Sequence, residues 1–465
     1  MTLLYEKNNE QQQQQQQHTT ILVNNEQTPL LLPNKISKTK TGGPYNEPPA
    51  ASFTGAVFNL STTIIGAGIM ALPATMKVLG LALGVGAIAI LAVLAEYSLD
   101  VLMRFSKVGN AVTYSQVMES AFGRVGRRLF QICIFVNNFG ILVVYMIIIG
   151  DVLSGTSTTG IHHFGVLDGW FGEHWWTMRT FVLLMTTLFV LAPLAFFKQI
   201  DSLRYTSAIA VALALVFLVI LVGITFLKLF NGGITTPRLL PTITDMNSIW
   251  NLFTAVPILV NAFVCHSNVH TINMELQDSS RIQPVVRASL TLSSVIYILT
   301  AIFGFLLFGE STLDDVLANF DVDLGIPYSS LLNDIVRISY AFHLMLVFPV
   351  IFFSLRFNFD EFIFASSKSL NATKYKFVST TVVLVALVYI AANFMPSIWY
   401  ALQFTGATAT VCIGFVFPAA ISIRDPHGIA TEKDKILSIV MIVLAVFSNS
   451  LAIYSNAASM SGITS

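Results

Sequence analysis

From residue 53 onward, the sequence alternates between apolar stretches of about 20 residues and short polar connections. Because a helix of about 20 apolar residues crosses the ~30 Å hydrocarbon core of a bilayer, this pattern predicts a polytopic, all-α membrane protein. We expect eleven membrane-spanning helices, which we number as spans 1 to 11. Their predicted ranges are 53–76, 78–99, 129–150, 178–197, 207–230, 250–274, 288–308, 338–355, 377–395, 397–423 and 436–456.

Composition supports this interpretation. Hydrophobic residues make up 54% of the 465 residues, and charged residues only 11%. Soluble domains usually carry about 25% charged residues, so the composition excludes a soluble enzyme, a disordered chain and a fibrous repeat. The net charge is zero, so the sequence shows no excess of basic residues that would indicate binding to a nucleic acid. The lipid bilayer is therefore the partner that composition predicts.

The polar residues contain no pattern that is typical of an enzyme or a metal site. We find no nucleotide-binding, nucleophile or metalloprotease motif. His162, His163, Asp168 and His174 share one connection, but their spacing fits no zinc pattern. The three cysteines lie inside apolar stretches, which is not a secreted disulfide framework. We expect no cofactor, no metal and no enzymatic activity.

Residues 1–50 differ from the rest of the chain. They contain the run Gln11–Gln17 and several prolines, and such a segment cannot bury enough apolar surface to fold. We predict a disordered cytoplasmic tail. Within it, the spacing of Glu26, Leu30 and Leu31 resembles the acidic dileucine signal read by adaptors that sort cargo to lysosomes and vacuoles. A sorting adaptor is thus a predicted partner, and a chance match is the alternative.

The distribution of charge predicts the orientation. With the tail in the cytoplasm, most Lys and Arg residues flank the spans on the cytoplasmic side, as the positive-inside rule requires. The connection 309–328 on the opposite side is acidic instead. An odd number of spans then places the C-terminus in the lumen. Neither Asn-X-Ser/Thr sequence, at Asn59 or Asn371, falls in a predicted luminal loop, which does not argue for a cell-surface protein.

Two spans carry residues that interrupt a helix. Span 1 contains Gly66 and Gly68, and span 6 contains Pro257 followed by the polar residues 265–268. Interrupted helices at corresponding positions of two halves are typical of inverted-repeat transporters. We therefore predict a 5+5 inverted repeat with one added helix. The predicted units are the tail 1–50, a first repeat 51–230, a second repeat 231–427, and span 11 with the C-terminus at 428–465.

The two interruptions suggest a ligand. The half-helix after Gly68 would offer free N–H groups to a carboxylate. Carbonyls released near His266 and Ser267 would accept hydrogen bonds from an ammonium. Together these groups describe a free amino acid. The alternative is that the glycines only allow close packing of helices.

The stretch Gly55–Pro73 resembles span 1 of the amino acid/auxin permease family. More narrowly, it resembles the branch that holds the system A and system N neutral amino acid transporters and the vacuolar transporters of plants and fungi, and it is especially similar to plant members of the vacuolar group. Further likenesses occur at 137–140, 151–153, 265–268, 304–309 and 404–408. The resemblance implies an eleven-span LeuT-like fold and secondary active amino acid transport.

Two departures from the family pattern concern the coupling ion. System A members carry Asn at the position of Thr62, and they place a hydroxyl residue for sodium on span 8. Alignment on Pro349 and Arg356 puts Met345 and Val347 in that region. Since apolar side chains supply no oxygen ligand, we expect a proton to be coupled instead of sodium.

Ionisable residues within spans are candidates for this coupling. His343 lies one turn before Val347 and is the first candidate, with His266 and Glu96 after it. A core histidine bonded to a carbonyl, or a structural pair for Glu96, is the alternative. The residues predicted to bind substrate are Thr62, Thr63, Gly66, Ala67, Gly68, Asn138, His266, Ser267 and Thr405.

The sequence therefore predicts a secondary active transporter of amino acids, proton-coupled and selective for neutral substrates, in a vacuolar, lysosomal or similar endomembrane. Alternating access would occur by rocking of spans 1, 2, 6 and 7 against the rest. An amino acid sensor that signals through the tail is the alternative from another class. Acidic substrates stay open if His266 or His343 is protonated.

Overall fold

The computed structural model describes residues 52–158, 161–197, 203–234, 236–321, 323–363, 374–395 and 398–460. The predicted tail 1–50, with its glutamine run and the sorting signal at Glu26, Leu30 and Leu31, lies outside the described residues. Asn371 lies outside them too. These interpretations stay predictions.

The described residues form 17 α-helices, which we number in chain order. The first eight are α1 Phe53–Ile64, α2 Leu72–Leu79, α3 Leu81–Val108, α4 Tyr114–Ser154, α5 Val166–Phe171, α6 Arg179–Thr186, α7 Ala192–Ala195 and α8 Arg204–Phe230. The others are α9 Met246–Leu252, α10 Ala255–Phe263, α11 His266–Glu275, α12 Ile282–Phe308, α13 Ser329–Ile363, α14 Lys374–Phe394, α15 Ile398–Thr405, α16 Phe417–Arg424 and α17 Glu432–Met460.

Nine helical segments among the described residues are long and apolar enough to cross a bilayer. A tenth candidate is the pair Phe53–Ile64 and Ala67–Leu79, which is bent by 48°. The apolar segment Arg179–Ala195 is shorter. These segments coincide in position with the eleven predicted stretches, while the exact count of eleven stays a prediction.

Several helices extend beyond the apolar stretch that predicted them. Helix α4 begins 15 residues before the predicted start at 129, because Thr113 and Gln116 form a reciprocal capping box there. It continues through a kink at Gly123, whose φ of 66° favours glycine. The extension carries Arg127, which pairs with Glu119 and Glu361. Hydropathy alone cannot detect a charged extension of this kind.

The connection between α4 and α5 contains two short strands that the apolar pattern did not predict. β1 (Thr156–Thr158) and β2 (Ile161–His163) pair antiparallel, with Thr156 opposite His163. Strands of three residues are too short to leave an alternating pattern. The hairpin places His163 Nδ1 2.6 Å from Asp321 Oδ2.

The core surrounds the interrupted helices. Helix α12 packs against α1, α2 and α3, and α13 packs against α4 and α8. Large apolar side chains at the periphery, such as Val219 and Phe230 of α8, are exposed. In a helix of this hydrophobicity, an exposed apolar face is the face expected to meet lipid.

The connection between α12 and α13 folds back over the bundle. Its residues 309–321, here called the acidic loop, contain 3₁₀ turns at Gly309–Ser311 and Val316–Asp321. The second turn packs against α4, α13 and the 3₁₀ turn Ala67–Ala71 that follows α1. The acidic loop therefore covers the interrupted first helix.

Candidate functional site

The first break lies between α1 and the 3₁₀ turn Ala67–Ala71. The helix stops at Ile64, Ile65 turns to extended angles (φ −74°, ψ 93°), and Gly66 follows with φ −137° and ψ −149°. Pro73 then opens α2. Glycine is needed at 66 because a Cβ there would overlap the hydroxyl of Tyr145. The break frees backbone carbonyls that a continuous helix would have used.

Three of these carbonyls lie within hydrogen-bond distance of buried polar side chains on other helices. The pairs are Tyr297 Oη to Ile64 O, His343 Nε2 to Ile65 O at 3.1 Å, and Tyr340 Oη to Gly66 O at 2.7 Å. Helices α12 and α13 thus hold the first break open by satisfying its acceptors.

The second break separates α10 from α11. Val264 is extended (φ −83°, ψ 107°), Cys265 has φ −120° and ψ 10°, and α11 begins at His266. Tyr297 Oη also lies 2.8 Å from Ala262 O, so one hydroxyl faces carbonyls of both breaks. A Cβ on Gly68 would lie 3.1 Å from Ala262 Cα. The two interruptions, almost 200 residues apart in sequence, therefore lie against each other.

His343 is fully buried beside the first break. Its Nδ1 lies 2.7 Å from Ala210 O of α8, and its Nε2 lies 3.1 Å from Ile65 O. Both partners are acceptors, and a neutral imidazole carries only one N–H. Only the doubly protonated ring can therefore donate both hydrogen bonds. This geometry makes the contacts of His343 depend on its charge.

His266 is fully buried at the second break. Its Nε2 lies 2.9 Å from Ser98 Oγ of α3, and the Ser98 hydroxyl contacts Gly414 O. Sequence reasoning missed His270, which lies one turn further along α11. The only signal for it was the spacing of four residues, which places both rings on one helix face.

A chain of polar side chains links four of the long helical segments near the breaks. It joins Ser354 to Asn138, Asn138 to Asn137, Asn137 to Thr410, Thr410 to Asn261, and Asn261 to Thr405. The contacts run from 2.6 to 3.2 Å. Because the Thr410 hydroxyl has one proton, it can donate to Asn137 or to Asn261 at any moment, but not to both. Predicted residues Asn138 and Thr405 both belong to this chain.

Span 10 reaches this chain through unusual helical turns. Gly406–Thr410 and Cys412–Val416 are π-helical. Thr405 and Thr410 are five residues apart, and in an α-helix they would point roughly 140° apart. With a π turn between them, both contact Asn261, at 3.0 and 3.2 Å.

Other predicted residues lie elsewhere. The hydroxyl of Thr62 donates to Ser207 O at 3.1 Å, and that of Thr63 donates to Leu60 O at 2.7 Å. Both donors are therefore bonded to backbone and are not directed at the first break. Glu96 lies at the periphery, where its Oε1 is 2.8 Å from Arg287 Nε. Gly66, Ala67, Gly68 and His266 lie at the breaks, and their role in substrate binding stays a prediction.

Two cavities approach the breaks from opposite ends of the bundle. A cavity of about 30 Å³ lies among α4, α11 and α13, and its lining includes Ser267, His270 and Glu361. We call it the cytoplasmic cavity after the side on which the predicted orientation would place it. A cleft of about 430 Å³ lies at the other end, lined by Lys77, Arg238 and Glu310 among others. Residues 66–68 line neither of these two spaces. The first break is therefore closed toward both of them.

Asp315 of the acidic loop is buried, and its Oδ1 accepts a hydrogen bond from Leu317 N at 2.9 Å. Burial raises its pKa to about 7, with Asp151 adding to the rise. A carboxyl with a raised pKa stabilises its buried state fully below the unfolded pKa of about 3.9. That stabilisation is lost as the pH rises through about 7. Acid therefore favours the packed loop.

We expect hydrogen exchange to detect this effect. After correction for intrinsic rates, amides of residues 312–321 should exchange more slowly at about pH 5 than at about pH 7.5. Asp315→Asn should remove the pH difference, because asparagine keeps the capping acceptor and cannot ionise. The exposed neighbour Asp314 provides the comparison: its charge is the smallest of the contributions that raise the pKa of Asp315, so Asp314→Asn should keep most of the pH difference. An unchanged pH difference in Asp315→Asn would show that another group is responsible.

The sequence also matches known proteins. The family model described as transmembrane amino acid transporter protein matches residues 49–461. The chain is 59% identical to Amino acid transporter AVT6B of Arabidopsis thaliana, covering 93% of this chain and 94% of that protein. It is 60% identical to AVT6A of the same plant, covering 89% and 90%. It is 28% identical to Sodium-coupled neutral amino acid symporter 2 of Danio rerio, covering 86% and 80%.

Solved structures share the architecture at low sequence identity. MhsT in complex with L-phenylalanine has a TM-score of 0.55 and 14% identity, covering 88% of this chain and 99% of that chain. MHP1, a nucleobase-cation-symport-1 family transporter, has a TM-score of 0.55 and 11% identity, covering 89% and 93%. At these identities the likeness shows the fold alone. It supports the predicted LeuT-like architecture, while the 5+5 arrangement stays a prediction.

Proposed function

Since this chain belongs to the family of transmembrane amino acid transporter proteins, we propose that it carries a neutral α-amino acid together with a proton across an endomembrane. The family is one of membrane transporters, so the interpretation of the chain as a multi-pass transporter and not an enzyme is confirmed. The identity of the substrate, the coupling ion and the membrane are the parts that we propose.

The contacts of His343 are the observation that carries proton coupling. A sodium ion needs several oxygen ligands, and the break carbonyls would be natural ones. Here Ile65 O and Gly66 O face His343 and Tyr340 instead. The nearby positions Met345 and Val347 supply no oxygen. A proton on His343 would place a positive charge between Ala210 O and Ile65 O, at the first break. In this proposal that charge takes the place of a coupling sodium ion.

The two breaks support an amino acid as the substrate that is transported with the proton. The first N–H groups of the 3₁₀ turn at Ala67 and Gly68 lack intrahelical partners and can bind a carboxylate. Carbonyls at the second break can accept from an ammonium. Residues 59–71 and 257–270 include no Lys, Arg, Asp or Glu, which favours a substrate with an uncharged side chain. The relative from Danio rerio is likewise named as a symporter of neutral amino acids.

We also propose how the chain is arranged in the membrane. Spans 1–5 within 51–230 and spans 6–10 within 231–427 would form the two repeats, with span 11 within 428–465. The N-terminus would be cytoplasmic and the C-terminus luminal. Adaptor binding at Glu26, Leu30 and Leu31 would direct the protein to a vacuolar or lysosomal membrane.

Uptake into proteoliposomes tests this proposal. With the membrane potential clamped, we expect a pH gradient to drive accumulation of a labelled neutral amino acid, at most about tenfold per pH unit for one proton per substrate. A sodium gradient should drive none. Accumulation that follows sodium, or uptake indifferent to both gradients, would contradict the proposed coupling. Labelled glutamate run in parallel decides whether acidic substrates are accepted.

A further inference from the structure

A buried pair of histidines, His266 and His270, lies beside the second break. Their relative exposures are 0% and 3%. They are four residues apart on α11, which puts their Cβ atoms roughly 5–6 Å apart on one helix face. His266 lies at the break, and His270 lines the cytoplasmic cavity.

The hydrogen bonds of each ring determine which of its two nitrogens carries the proton in the neutral state. The Ser98 hydroxyl donates to Gly414 O, so Ser98 can only accept from His266, and Nε2 of His266 must carry a proton. The Ser106 hydroxyl donates to Ala111 O at 2.7 Å, so His270 Nε2 must likewise donate to it, at 3.2 Å. Both neutral rings therefore have the proton on Nε2.

The other nitrogen of each ring has no hydrogen-bond partner among the described residues. Nδ1 of His266 and Nδ1 of His270 are both buried, and in the described part of the chain neither accepts a hydrogen bond. A buried acceptor without a partner is unusual and calls for a water, a ligand or a proton. Here two of them occur one turn apart, between the break and a cavity.

We propose that His266 and His270 form a relay that carries the coupled proton from the second break to the cytoplasmic cavity. The inference rests on the proposed proton coupling. A proton from the site adds to Nδ1 of His266, passes to Nδ1 of His270 directly or through one water, and leaves from that nitrogen into the cavity. Each ring gains and loses the proton on the same atom, so neither has to change its tautomer or turn over. The Nε2–H bonds to serine persist throughout.

The surroundings of the pair agree with a transient charge. Helix α1, which packs on α11, contains no ionisable side chain between 53 and 64. Helix α4 contributes Tyr114, whose ring stacks on His270 with the centroids 5.9 Å apart. The π turn Cys412–Val416 packs on α11, and Cys412 is its one titratable residue. Helix α13 contributes Glu361 at the cavity, where Arg127 lies 2.7 Å from it. The acidic side chain therefore lies at the exit of the relay.

His270→Gln is the decisive variant. Its amide can still donate to Ser106, but its oxygen cannot take up a proton. Uptake driven by a pH gradient should fall by about tenfold or more. Exchange of labelled for unlabelled amino acid across the membrane should stay within about twofold of wild type, because exchange of the loaded carrier requires no net release of a proton.

Controls separate a relay from a purely structural role for His270. His427 is an exposed histidine at the same end of the bundle, and His427→Gln should change neither assay. If His270→Gln loses exchange and pH-driven uptake equally in monodisperse protein, His270 is structural and the relay is wrong. Unchanged pH-driven uptake also overturns it. If His270→Gln does not fold, His270→Asn enters the same assays under the same criteria. Absence of pH-driven uptake in the wild type would instead defeat the proposed coupling itself.

Discussion

Replacing His343 by glutamine should abolish the dependence of uptake on the pH gradient. In the wild type, protonation lets the ring donate to both Ala210 O and Ile65 O, and deprotonation leaves one carbonyl facing a lone pair. A glutamine can donate from its amide but never changes charge. The pH is varied on the side from which the substrate enters. We expect the initial rate of uptake at about pH 5.5, divided by the rate at about pH 7.5, to fall to about one in the variant. With a gradient of about two pH units, accumulation should drop by at most about 100-fold, which is the limit of about tenfold per pH unit.

The test needs a histidine whose loss leaves the break untouched. His427→Gln supplies it, since His427 is exposed and lies near Ser120 rather than near either break. A His343→Gln protein that still accumulates substrate along a pH gradient would rule out His343 as the coupling group. Protein that binds substrate with wild-type affinity but no longer responds to pH would support it most directly.

Adding one methyl group at the first break should stop transport without unfolding the protein. The Cβ of Gly66→Ala would overlap the hydroxyl of Tyr145, which is itself fully buried, so either the break or the tyrosine must move. A displacement of about 1 Å at a binding site can lower a rate by about 100-fold. We expect a loss of that order in amino acid exchange. Gel-filtration profiles should resemble those of the wild type.

Two further variants identify the cause. Gly86→Ala also adds a methyl group to a helical glycine, but nothing lies within 4 Å of its Cβ, so transport should be unchanged. Removing the obstructing hydroxyl in Gly66→Ala with Tyr145→Phe should restore a substantial part of exchange. If Gly66→Ala alone transports normally, the break does not form the substrate site in the way we propose.

The sequence predicts the breaks because helix interruption is a local property. Gly66 and Gly68 weaken a helix wherever it is placed, and two interrupted spans at matching positions already indicate that they meet. The second break lies at Val264 and Cys265, next to the polar residues 265–268, whereas Pro257 lies inside α10. Local composition was also sufficient to predict where the apolar, membrane-spanning stretches lie. Span ends were less accurate, because a charged extension such as that of α4 depends on a cap and on ion pairs with a distant helix.

The groups that hold the breaks open were not predictable in the same way. Tyr297 and Tyr340 look like ordinary aromatic residues of apolar helices, and only the packing of α12 and α13 brings them to residues 64–66. Thr62 is a different case. Its place in a family motif makes it a predicted substrate ligand, which stays a prediction, and its hydroxyl donates to Ser207 O of α8. Motifs identify a segment, and tertiary contacts decide which of its side chains face the site.

The π-helical turns of span 10 have a consequence for how this helix can change over generations. A π turn accommodates one residue more than an α turn in the same place. Deleting one residue from Gly406–Thr410 would restore an α turn and leave everything that follows, including Phe417–Arg424, at nearly its present angle about the helix axis, because the extra residue is accommodated within the turn. A lineage that gains or loses a single codon here therefore changes only which residues of the turn contact Asn137 and Asn261, while the rest of span 10 keeps its contacts with neighbouring helices.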